Sequence, residues 1–105
     1  MAFPKASDMF AIANTTKEKW QEKARLLEKN RIIENIYDCA KYGNIFYEYI
    51  PDMSLAESDL QRNWLNEICY EFDTELNNLG YHTTITYFLT TDHIESILIF
   101  WDEEE

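Results

Sequence analysis

Leu60, Trp64, Leu65, Ile68, Phe72, Leu76 and Leu79 recur at three- and four-residue intervals and stop at Gly80, which places all seven along one side of a helix. A stripe this regular has to be covered by another element, so the fold must be assembled against it. Ser54-Leu55-Ala56-Glu57 fits a capping box and predicts the helix start. The outward side carries Glu67, Glu71 and Glu75 at successive four-residue steps. Like charges at that spacing cost stability unless a cation or a partner answers them.

A second helix precedes this one. Thr15-Thr16-Lys17-Glu18 is another capping box, followed by Trp20, Ala24, Leu27, Ile33, Ile36, Tyr37 and Ala40 at helical spacing, with Gly43 as the left-handed stop. The run over 16–42 corresponds to about 40 Å at 1.5 Å per residue. A seven-residue strand supplies roughly 20–25 Å. The first half, with Trp20 and most of the basic residues, is therefore expected to overhang the sheet and seek another partner, unless the helix breaks near Asn30.

Residues 44–50 alternate Ile45/Tyr47/Tyr49 against Phe46/Glu48/Ile50 and end at Pro51, a strand with rings on both faces. Residues 81–89 and 94–101 alternate again around Thr90-Thr91-Asp92-His93, which predicts an antiparallel hairpin. At 105 residues and 46% apolar content, one domain accommodates all of this. The expected class is α+β: a small αβαββ domain over 15–105, with a three-stranded sheet covered on one face by two helices. Residues 1–14 (MAFPKASDMFAIAN) form an extended apolar N-terminal arm. Phe3, Met9, Phe10 and Ile12 make this arm either an anchor for a neighbouring subunit or a flap folded back on its own domain. Aromatic residues, 15% of the chain, leave rings either for a partner or lying half-buried on the sheet.

Charge is divided unevenly. From Tyr42 onward there are fourteen acidic residues against the one basic Arg62, a net −13, whereas the first forty-one residues hold eight basic and six acidic, a net +2. A one-signed surface projects a field over about a Debye length, roughly 8–10 Å. It repels nucleic-acid phosphates, whose binding draws on Lys and Arg.

Common reaction centres find little footing. Gly43 and Gly80 stand alone after helices rather than in a phosphate-cradling loop. His82 and His93 flank the hairpin without enough ligands for zinc, and no calcium-loop pattern is present. Cys39 and Cys69 fall within helices and read as reduced packing residues, an interhelical bridge being the alternative. The chain is expected to be a non-enzyme without cofactor. No stretch approaches the roughly 20 apolar residues of a membrane span, so a soluble protein without membrane partners is expected.

Ala13-Asn14 before a long helix, Ala40-Lys41-Tyr42-Gly43, a Tyr-rich strand, Leu76 with Leu79-Gly80-Tyr81, and closing Ile99-Phe100-Trp101 form a series of short cues. From about Ala11 to Trp101 it resembles a widespread group of small bacteriophage proteins whose pattern runs AN, helix, AxxG, strand, LxxLGY, strand, IxW. The chain departs from the usual form in the inserted segment 51–59 and in Phe100 before the tryptophan. The resemblance implies a phage origin and the αβαββ order, and transfers no catalytic residue. Some members are placed among virion components, so the expected localisation is a virion or the host cytoplasm. The expected role is a structural or assembly component that contacts other phage structural proteins or copies of itself through Phe3, Met9, Phe10, Ile12 and Trp20. The alternative is an acidic mimic of nucleic acid that uses Glu67, Glu71 and Glu75 to occupy a basic host protein. A third reading has Tyr47 and Tyr49 stacking on a small ligand between subunits.

Overall fold

The computed structural model describes residues 2–102. Helix α1 spans Ala6–Lys41, strand β1 Phe46–Tyr49, helix α2 Asp59–Asn78, strand β2 His82–Tyr87 and strand β3 Ile94–Phe100, with a 3-10 turn at Met53–Leu55 between β1 and α2. The three strands form one antiparallel sheet in the order β1-β3-β2. This is the expected small α+β domain in αβαββ order. Alternation along the strands sends Tyr47, Tyr49, Ile85, Ile97 and Ile99 to the helix side, where they join Leu65, Ile68, Phe72 and Leu76 of α2 and Ala24 and Ile32 of α1. In β3, Glu95 has no partner between the pairs Thr86–Ser96 and Tyr87–Ile94, and this bulge turns Ile94 into the core as well.

Both helices stop at a glycine. Gly43 has φ +84° and Gly80 φ +100°. At each, two crossed backbone bonds close the last turn: Gly43 and Asn44 donate to Ala40 and Cys39, and Gly80 and Tyr81 donate to Asn77 and Leu76.

The helix starts differ from the capping-box expectation. Thr15 and Thr16 do not cap; their hydroxyls donate to the carbonyls of Ala11 and Ile12 one turn back, each at 2.9 Å. The Thr-Thr-Lys-Glu signal for a helix start competes with the good helix formers around Met9 and Ala11, and no Gly or Pro interrupts residues 6–14. The apolar arm is therefore mostly helix, continuous with α1, and only residues 2–5 precede it. No break occurs near Asn30. Ser54 likewise lies in the 3-10 turn, where Asp52 accepts from its amide at 3.1 Å, and α2 is capped instead by Ser58, which accepts from the Gln61 amide at 3.2 Å. The segment ahead of α2 is held by the buried Pro51 and Ala56 and by Met53 against the core, which delays the helix.

Helices α1 and α2 run parallel, because β1 lies between them in sequence and carries the chain back. Gln21, Arg25 and Lys29 meet Glu67, Glu71 and Glu75 at a constant separation of 46 residues. At that offset α2, Asp59–Asn78, faces residues 13–32 of α1, so α1 runs past α2 at both ends. The molecule measures 66 × 28 × 25 Å. Its radius of gyration, 17.1 Å, exceeds the about 13 Å of a compact chain this long.

One charge lies inside. Glu28 is 2% exposed, and its carboxylate accepts from the Arg31 guanidinium at 2.8 and 3.0 Å, the Tyr49 hydroxyl at 2.9 Å and the Asp52 amide at 2.8 Å. Arg31 also donates to the Ile50 carbonyl and lies 5.2 Å from the centroid of the Tyr49 ring. Burial alone would raise the Glu28 pKa, but the bonds from Arg31, the Asp52 amide and Tyr49 outweigh it and hold the carboxyl below its ordinary 4.5. The stabilisation is thus complete above the unfolded value and is lost as pH falls through the lower folded value. Glu28→Ala should destabilise the fold by about 3 kcal/mol, since it strands the buried Tyr49 hydroxyl and an arginine. Chemical denaturation from pH 6 downward checks the cause: wild-type stability should fall below about pH 4.5 more steeply than that of Glu28→Gln.

Candidate functional site

Three rows of side chains leave α2, and each is met within the chain. The apolar row enters the core from Leu65 to Leu76, whereas Leu60 and Leu79 at its two ends stay exposed. The acidic row faces α1: Lys17 lies 3.1 Å from Glu67, Arg25 2.9 Å from Glu71 and Lys29 2.7 Å from Glu75. Gln21 adds bonds to Glu67 and to the Trp64 carbonyl. Glu67, Glu71 and Glu75 are therefore the inner side of an interhelical ladder rather than a bare acidic face. The cations that answer them could not be assigned from sequence, because the parallel register that aligns the rows comes from tertiary packing.

The third row was not singled out in the sequence. Asn63, Asn66, Tyr70, Asp73 and Asn77 follow at three- and four-residue steps and clamp the hairpin. Asn66 accepts from the Ile94 amide at 2.8 Å, Tyr70 meets Tyr87 hydroxyl to hydroxyl at 2.8 Å, and Thr83 bridges Asp73 and Asn77. The signal for it was the helical periodicity of amide and hydroxyl side chains along a second edge. Asn63 also takes His93, at 2.6 Å. His82 stands at the far end of β2, opposite Phe100, so the two histidines do not converge.

Trp20 does not reach outward. It packs on Trp64 with ring centroids 5.8 Å apart and closes the upper end of the α1–α2 seam. Tyr49 is fully buried, which removes it from any ligand-stacking role between subunits, and Tyr47 is half-buried against the core. Cys39 and Cys69 are free; burial pushes the Cys69 thiol up to about 12, where it is inert as a nucleophile at neutral pH. Among the described residues, no three metal-ligating side chains gather, and no helix is long and apolar enough to cross a membrane.

The projecting start of α1 is uncovered. Every described residue up to Thr16 is exposed, including Phe3 at 99% and Phe10 at 73%, together with Met9 and Ile12. Ala6, Met9, Phe10 and Ala13 follow at i, i+3, i+4 and i+7, and the same side of the helix carries Trp20 and Ala24 into the seam further along. The core-facing stripe of α1 thus continues past the end of α2 with nothing against it. At the opposite end, the α1 overhang and the close of α2 border an apolar groove of about 680 Å³, lined by Ile33, Ile36, Tyr37, Leu76, Leu79 and Trp101 among others. Comparison with protein-family models, curated proteins and solved structures finds no match to this chain.

The ladder side chains are between one-third and somewhat over one-half exposed, so each pair should contribute only about 0.3–0.5 kcal/mol. Neutralising Glu67, Glu71 and Glu75 together should lower stability by about 1 kcal/mol, an effect that shrinks in high salt. Reversing all three to lysine should cost clearly more, and exchanging Lys17, Arg25 and Lys29 for glutamate in the same chain should restore most of the loss in a denaturation series.

Proposed function

We propose that this chain is a non-catalytic assembly protein, a virion structural component that works through protein–protein contacts made by the start of α1. The observation that carries the reading is the continuation of the core-facing stripe beyond its own domain. A rigid helix that presents Ala6, Met9, Phe10 and Ala13 to water is unfavourable for an isolated molecule and suited to the groove of a partner. The attribution to a phage particle draws on the resemblance of the short motifs between Ala11 and Trp101.

Mimicry of nucleic acid has weaker support. The carboxylates that motivated it, on Glu67, Glu71 and Glu75, each have a cation within 3.1 Å in the same chain, so the field they project is largely cancelled. A mimic would have to use other acidic groups.

Deleting residues 1–14 is the direct test. No residue in that stretch is buried among those described, so the truncated chain should keep the circular dichroism of the folded domain, less the helical signal of residues 6–14, and lose no more than about 1 kcal/mol of stability. It should also fail to enter assemblies that the full chain enters, as read by light scattering and by incorporation into purified particles. Unchanged assembly of the truncated chain would contradict the reading.

A further inference from the structure

We infer that the projecting helix of one copy docks in the α1–α2 groove of a second copy, so that the protein associates head to tail. The inference rests on the assembly reading above and names its receptor surface. The start of α1 cannot fill the groove of its own molecule. From Ile12 to Lys29, where the groove begins, α1 is unbroken and separates them by about 25 Å at 1.5 Å per residue. Another copy has no such constraint.

The two surfaces match in length and chemistry. Residues 3–13 and the α1 wall of the groove, residues 29–40, cover similar stretches of chain, and the helix offers the i, i+3, i+4, i+7 anchors with which amphipathic helices enter apolar grooves. Charge does not oppose the contact: Lys5 and Asp8 leave the entering segment close to neutral, which suits walls that are mainly apolar, and Lys5 can meet Asp102, which lines the groove and makes no ion pair among the described residues. Tyr37 and Leu79, 66% and 70% exposed on the groove margin, would be covered together with Phe10. With aromatic side chains burying about 150–250 Å² each, the contact totals roughly 1,000 Å², at the lower end for a specific interface. Association should therefore be weak for one contact and depend on concentration. Because donor and acceptor are different surfaces at opposite ends of the molecule, the contact propagates to a ring or a filament instead of stopping at a dimer.

Two variants separate the surfaces. Met9→Lys/Phe10→Lys removes the donor, and Tyr37→Lys/Leu79→Lys removes the acceptor; all four positions are exposed, and circular dichroism verifies that both variants fold. In sedimentation velocity the wild type should associate, and each variant alone should stay a monomer. An equimolar mixture should stop at two chains, twice 12.6 kDa, since one intact groove meets one intact helix. If the wild type associates but the mixture stays monomeric, or if the acceptor variant alone still associates, the groove is not the receptor, although the assembly reading survives. A wild type that remains monomeric at every concentration overturns the inference and self-assembly together.

Discussion

The placement of α1 turns on a carboxylate that water does not reach. Glu28 takes hydrogen bonds from its own helix, from the last residue of β1 and from the loop after it, through Arg31, Tyr49 and the Asp52 amide. Sliding α1 by one turn would carry Arg31 along with Glu28 but break the bonds from Tyr49 and the Asp52 amide, leaving buried polar groups unpaired at a cost of about 1–3 kcal/mol each, so one register on the sheet is favoured. The ladder to α2 agrees with that register but is too exposed to impose it. From the register follow the two overhangs of α1, and from these the exposed stripe at one end and the groove at the other.

This arrangement separates what stabilises the domain from what is left for a partner. Helix α2 is satisfied on three sides, by the core, by the basic side of α1 and by the hairpin. The sheet gives its inner face to the same core. Exposed apolar side chains stand on the lone first turns of α1 and along the groove, and also singly elsewhere, at Leu26, Tyr42, Ile50, Leu60 and Leu89; the stripe and the groove differ from these in being contiguous, which is the usual mark of an interaction surface.

Period and punctuation were legible in the sequence. The stripe from Leu60 to Leu76, the stops at Gly43 and Gly80, the three strands and their order all follow from spacing and from residues with special backbone freedom. Helix starts were less so. The Thr15 and Ser54 capping boxes are chemically sound, but a hydroxyl can bond to the preceding turn as readily as it can cap, and the choice depends on neighbours and on packing. The interaction residues divided along the same line. Phe3, Met9, Phe10 and Ile12 stand exposed and are not folded back on the domain, a choice their composition left open, whereas Trp20 and the three glutamates were answered by Trp64 and by lysine and arginine side chains roughly fifty positions away in sequence. Glu28 could not be told from the exposed Glu18 and Glu22, because only the return of β1 buries it.

The central claim is that the first turns of α1 form a helix that another molecule covers. Amide hydrogen exchange of the full-length chain at increasing concentration addresses it most directly. The account predicts that amides of residues 9–14 exchange quickly in dilute solution and become protected as concentration rises, in step with amides at the close of α2, while those around Glu28 remain protected throughout. Rapid exchange over residues 9–14 at every concentration would contradict it.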